Sequence, residues 1–269
     1  GTTVTAHNNF VSDLKVPVAN ITEAARGIAI TSTTANSTYN IYYNSIYLKA
    51  TSSGTNFGTT GLFHTASATA TTATLNIRNN IIDNESVANG TGLTVAFRRD
   101  QVTLGNYAAT SNNNLFYAGS LATPGALYYD GTNNDAGIAA LQARMTPREA
   151  LSITAAPSFV SITDLHLLTS ENCGIDGAAA PIAGITDDID ADTRDASTPD
   201  IGADEFNGSG GGAGNWKGVN SNWLDPQNWC GQVPTASMNV VIGAGKPFYP
   251  VITTTVPVAK NISIAAGGS

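Results

Sequence analysis

Asp187, Asp188, Asp190, Asp192 and Asp195 crowd one short stretch of this 269-residue chain. Within it, Asp188, Asp190 and Asp192 form D-x-D-x-D, an oxygen-rich spacing suited to a hard cation such as Ca²⁺. The stretch lacks the glycine at position 6 and the glutamate at position 12 of an EF-hand loop. The competing reading is a turn whose carboxylates act as caps and as partners of Arg194. Calcium is the one cofactor the spacing raises, and Arg194 is expected to pair with at least one Asp of 187–204.

Other chemistry is sparse. A polysaccharide lyase or hydrolase needs closely placed carboxylates or a base beside them. The acids of residues 1–130 are only Asp13, Glu23, Asp83, Glu85, Asp100 and Asp130, and the local clusters are Asp83 with Glu85 and Arg98-Arg99-Asp100. Both clusters read as solvated loops, so no catalytic residue is assigned. His7, His64 and His166 are too scattered for a metal motif, and His166 is expected to pack. Cys173 and Cys230 allow one disulfide but imply no framework. "GSGGGAG" (208–214) lacks the strand and helix that a nucleotide loop requires. Tyr39, Tyr42, Tyr43 and Tyr47 could stack on sugars but are also ordinary strand residues.

Composition sets the frame for these side chains. Only 12% of residues are charged, and Thr, Ser, Asn, Ala and Gly fill the deficit, a palette suited to extracellular β-proteins. Of the acids, eleven lie in 164–205 against Arg194 alone, while 1–163 balances eight acids with eight Lys/Arg. With no basic stripe to neutralise phosphates, nucleic acid is excluded as a partner. No apolar run reaches the length of a membrane span.

The elements that must position these residues show as a repeat. "AHNNFVSDL" (6–14), "YYNSIYLKA" (42–50), "IRNNIIDNE" (77–85) and "SNNNLFYAG" (111–119) place Phe10, Ile46, Ile81 and Leu115 in register, with spacings of 36, 35 and 34. An interleaved series, "GIAIT", "GLFHT", "GLTVAF" and "GALYYD", aligns Ile28, Leu62, Leu93 and Ala126. Two series with one period describe a coil whose turns stack at roughly 4.8 Å. Asn9, Asn44, Asn80 and Asn114 are expected at equivalent bends, where Asn tolerates left-handed backbone angles and stacked amides can form a ladder. The pattern resembles the right-handed parallel β-helix of the pectate-lyase-like class, over roughly residues 4–130.

Past the repeat, Ile138, Leu141, Met145 and Leu151 have helical spacing interrupted by Pro147, giving a short capping helix with Asn134 or Asp135 as its N-cap. Residues 156–206 resemble the terminal segment of bacterial secreted β-helix proteins of the type IX secretion route. Phe159, Asp164, His166, Leu167, Ile175, Asp176, Gly177, Arg194, Asp200, Gly202, Ala203 and Glu205 carry that likeness. The resemblance implies surface adhesins, large multi-domain exports and some polysaccharide-degrading enzymes.

The expected architecture is all-β: a parallel β-helix with its Asp-rich segment over 1–206, a Gly-rich linker over 207–214, and a small Trp-containing β module over 215–269. The expected role is a structural or adhesive module of an extracellular bacterial surface or filament protein. Self-association head-to-tail follows if the trailing strands at 240–242 and 262–264 cover the N-terminal turn of a neighbour. The alternative is a carbohydrate-active enzyme or its sugar-binding accessory, with polysaccharide as the partner.

Overall fold

The computed structural model describes residues 1–68, 71–119, 125–169, 171–172, 174–206, 214–225, 228–229, 233–252 and 258–267. Cys173, Cys230 and residues 207–213 of the expected linker lie outside the described residues. Contacts divide the chain into two units, Gly1–His166 with Gly177–Glu205, and Leu167–Asp176 with Phe206–Ser269.

The first unit is a parallel β-helix. Its first coil supplies β1 (Thr3–His7), β2 (Phe10–Ser12) and β3 (Ile21–Ile30). The second supplies β4 (Thr38–Tyr42), β5 (Ser45–Leu48) and β6 (Phe57–His64), and the third β7 (Thr74–Arg78), β8 (Ile81–Asn84) and β9 (Thr94–Arg99). The fourth adds β10 (Leu115–Ala118) and β11 (Ala126–Tyr129). They stack in the orders β1-β4-β7, β2-β5-β8-β10 and β3-β6-β9-β11, every pair parallel. In the first sheet, parallel bridges to Tyr107 and Asn112 carry the stacking into the fourth coil.

Each coil turns the corner between its first two sheets on adjacent residues with separate tasks. Asn8, Tyr43, Asn79 and Asn113 hold φ of 55°, 49°, 60° and 58°, the left-handed region that Asn tolerates best among residues with a side chain. The next residue in each coil is the ladder asparagine. Asn9 Nδ2 donates to Asn44 Oδ1 at 2.7 Å, Asn44 to Asn80 at 3.0 Å, and Asn80 to Asn114 at 2.9 Å. Each accepting oxygen also takes the main-chain N–H of the preceding rung. Asn114 ends the ladder on buried Glu149, donating to Oε2 at 2.9 Å. The expectation that one Asn both bends and bonds is therefore corrected: the bend falls one residue earlier.

This geometry also corrects the aligned columns. Phe10 pairs with Ser45, Ser45 with Ile81, and Ile81 with Leu115, whereas Ile46 pairs with Val11 and Ile82. Val11, Ile46, Ile82 and Phe116 face the core, and the Phe10 column faces outward. In the third sheet Ile28, Leu62, Phe97 and Tyr128 form the inward column. Leu93 precedes β9, and Ala126 pairs with Val95. Gly61 stands where a Cβ would lie 2.5 Å from Ile82 Cγ2, so the two sheets approach too closely there for any side chain.

The last coil is covered by its own chain. β12 (Asn134–Asp135) pairs antiparallel with β11. α1 (Ile138–Met145) buries Leu141 and Met145 in the core shared with Tyr128. Its N-cap is Gly137, not Asn134 or Asp135. Asp135 is held in β12 and takes a two-pronged pair from Arg144, at 2.5 and 2.9 Å. Leu151 lies beyond the helix and is exposed.

β13 (Phe159–Ser161) and β14 (Asp164–Leu167) form a two-stranded sheet. In the second unit, β15 (Asn239–Ile242) and β16 (Asn261–Ile264) pair in parallel, and Asn215 extends the stack by a parallel bridge to Val241. Asn261 Nδ2 donates to Asn239 Oδ1 at 2.9 Å, a rung like those of the first unit. Trp216, Trp223 and Trp229 form its core with Val240 and Ile242. No described helix is long and apolar enough to cross a membrane.

Asn80→Ala removes a rung, takes away the acceptor of the buried Asn44 N–H and removes one donor from the Ile41 carbonyl. Buried groups so orphaned cost about 1–3 kcal/mol. Urea unfolding of the variant should show a loss of that size; an unchanged midpoint would contradict the ladder.

Candidate functional site

The outward face of the coil corners is a docking surface for the Asp-rich segment. Asn113 Nδ2 donates to the Ala178 carbonyl at 3.1 Å, Asn79 Nδ2 to Ala180 at 2.7 Å, and Asn8 Nδ2 to Asp187 at 2.7 Å. Tyr43, the left-handed residue of the second coil, donates its hydroxyl to the Ala180 carbonyl. Gly202 N–H reaches the Asn79 carbonyl and Ala203 N–H reaches Ser45 Oγ. Gly202 sits at φ 108°, where a Cβ would meet Ile81 Cδ1 at 2.7 Å. Only glycine allows the segment to lie this close.

Arg194 fastens the segment. Its guanidinium is buried, 4.1 Å from the Tyr43 ring centroid. It donates to Glu205 Oε2 at 3.1 Å, to Asn8 Oδ1 at 3.0 Å, and to the carbonyls of Asp187, Gly202 and Ala203. Its carboxylate partner is thus Glu205 rather than an Asp of 187–204; Asp188 and Asp195 accept main-chain N–H groups instead. Asp188 Oδ1 accepts from Asp190 and Asp192, and its Oδ2 accepts from Glu205. Asp195 Oδ1 accepts from Ser197 and Thr198.

The D-x-D-x-D aspartates consequently do not converge as a calcium cage. Asp188 is buried with both oxygens committed, while Asp190 and Asp192 are exposed. Asp190 turns instead toward His166, whose Nε2 lies 2.6 Å from Asp190 Oδ2. Asp204 joins them, with ligand atoms of all three within 4.8 Å of one another. Asp164 Oδ1 bonds His166 Nδ1. Burial lowers the His166 pKa, but the bonds to Asp164 and Asp190 outweigh it and leave a net upward shift. His166 also meets Phe10 edge-on at 5.1 Å. Strand period places Asp164 and His166 on one face, a signal the sequence carried; the distant Asp190 and Asp204 left none.

The two clusters on the coil are internally engaged. Asp83 is fully buried between its register neighbours Tyr47 and Tyr117. Neither of its oxygens has a hydrogen-bond partner among the described residues. Burial, then the Glu85 charge, holds its pKa well above the usual carboxylate range. Glu85 itself pairs with Lys49 at 2.7 Å. Arg99 is buried, donating to Asn106 Oδ1 at 2.6 Å and to His64 Nδ1 at 3.3 Å. Burial, then the Arg99 charge, lowers His64 to about 3, so this imidazole is neutral. Asp100 Oδ1 caps the Ala66 N–H. Of the tyrosines, Tyr47 packs on Phe159 at 5.3 Å, and Tyr39 packs against the core.

No known protein family, curated protein or solved structure matches this chain.

Arg194→Ala would leave Glu205 without its cation beneath the segment; losing one partner of a buried pair costs about 3–5 kcal/mol. The thermal midpoint should drop accordingly, and an unchanged midpoint would remove Arg194 from the clasp. For Asp83 the linkage sign is opposite to that of a salt-bridged carboxylate. The unfolded chain ionises near 3.8 while the folded chain keeps its proton to higher pH, so stability falls as pH rises between those values and then levels. Asp83→Val should gain about 1–3 kcal/mol at neutral pH and flatten that profile in urea titrations at pH 4 and pH 8.

Proposed function

We propose that the chain is a structural or adhesive module of an extracellular bacterial surface protein, assembling head-to-tail by strand addition. The observation that carries the reading is an unfinished column in the second unit. Val240 and Ile242 are buried, whereas their register partners in β16, Ile262 and Ile264, are 49% and 59% exposed. These are core positions awaiting another rung.

In the first unit, β1, β2 and β3 are each the edge strand of their sheet, and β1 is largely exposed. Open parallel edges recruit strands. A contact between different surfaces of identical chains need not close, and it grows as a filament. The neutral polar composition and the likeness of residues 156–206 to bacterial secreted β-helix proteins support an extracellular setting. The docked Asp-rich segment fits load bearing, since it ties successive coils together along the corner column.

Light scattering over a concentration series should show growing assemblies for the full chain and none for the Ile262→Lys, Ile264→Lys double variant. A full chain that stays monomeric at high concentration would sink the reading.

A further inference from the structure

The His166 cluster joins three separate stretches of the first unit: β14, the exposed Asp190 turn and the buried approach to Glu205. Three carboxylates, Asp164, Asp190 and Asp204, surround one imidazole. Even an imidazolium leaves two net negative charges there. The nearby guanidinium of Arg194 is committed to Glu205. Asp164 on Nδ1 fixes the ring so that Nε2 faces Asp190, the carboxylate–imidazole orientation that second-shell partners impose on metal-ligating histidines.

We propose that His166 Nε2, Asp190 and Asp204 bind a divalent transition-metal ion, with zinc the best fit, and that the ion staples the Asp-rich segment over the first coil. A nitrogen ligand with two carboxylates selects zinc or a similar first-row ion over calcium, which takes oxygen. The ion replaces the proton shared between Nε2 and Asp190. With metal–ligand bonds of about 2.0–2.1 Å, a tetrahedral site needs the nitrogen and oxygen roughly 3.3 Å apart, against the present 2.6 Å. Asp190 can make that retreat, because it lies on an exposed turn with half its side chain in solvent. Asp204 is buried and His166 is braced by Asp164 and Phe10, so the site closes on the mobile ligand last. A solvent molecule completes the coordination.

Calorimetric titration of the full chain, stripped with chelator and carrying Cys173→Ser and Cys230→Ser to remove thiol ligands, tests the site with zinc, manganese and calcium chlorides. One zinc per chain is expected, bound at least tenfold tighter than calcium, with a saturable rise in thermal midpoint. Asp190→Asn, an exposed change that leaves the fold intact, should weaken zinc at least tenfold, and His166→Gln should do the same. Absence of saturable zinc binding would overturn the proposal, as would zinc binding indifferent to both variants. Calcium binding as tight as zinc and unaffected by His166→Gln would overturn the choice of metal.

Discussion

The left-handed residue at each coil corner is the constraint on which the rest of the first unit depends. A chain turning that sharply must place one residue at positive φ, and the residues either side of the turn then point to opposite faces. The asparagine doublet exploits this. Its first side chain leaves the coil and its second enters it, so one dipeptide supplies both a grip for the Asp-rich segment and a rung of the buried ladder. Because each ladder oxygen accepts a side-chain and a main-chain N–H from the neighbouring coil, a slip of one residue would break two bonds at every level. Strand register in a parallel stack is otherwise weakly specified when faces are alike. Here the amides pin it.

The second constraint follows from the scarcity of cations. Several of the acids in 164–205 serve the backbone: Asp188 and Asp195 accept main-chain N–H groups, and Asp200 accepts the Gly177 N–H. Charge-assisted bonds of this kind are stronger than neutral ones, and they shape turns without requiring lysine or arginine. Arg194 can then be reserved for one place, between the Tyr43 ring and Glu205, where it also donates to the carbonyls of Asp187, Gly202 and Ala203. Asp83 breaks the pattern. It is fully buried between Tyr47 and Tyr117 with no hydrogen-bond partner among the described residues.

The period, the stacking and the identity of the ladder asparagines were legible in the sequence, because each recurs with the coil. What failed did so where one coil lacked the doublet. In "YYNS" Tyr43 takes the left-handed position, so aligning Asn44 with Asn8 moved Ile46 one residue out of its column and exchanged core for exterior. The glycine-led series failed for a related reason. Gly27 and Gly61 mark close sheet approach, but Ala96 occupies that position in the third coil, and Gly92 belongs to the preceding loop. Contacts across the coil, such as His166 with Asp190 or Arg194 with Asn8, carry no period at all. They depend on where an irregular segment comes to rest, which strand and helix patterns do not encode.

The fourth-coil end shows how a stacked coil is closed. A stacked parallel sheet leaves N–H and C=O groups bare at each end, and closing them takes a segment that breaks the repeat. At the fourth coil the chain does this three ways: an antiparallel strand on β11, a helix over the apolar interior, and Glu149 on the last ladder amide. Glu149 is an unusual terminator because a further asparagine would only renew the problem, presenting another amide to be satisfied. A carboxyl group instead accepts from Asn114, Tyr107 and Ser152 together and offers no new rung. At the first coil, Asn9 Nδ2 donates to Asn44 Oδ1, and β1, β2 and β3 are the edge strands of their sheets. A terminator is therefore built into the fourth-coil end of the repeat.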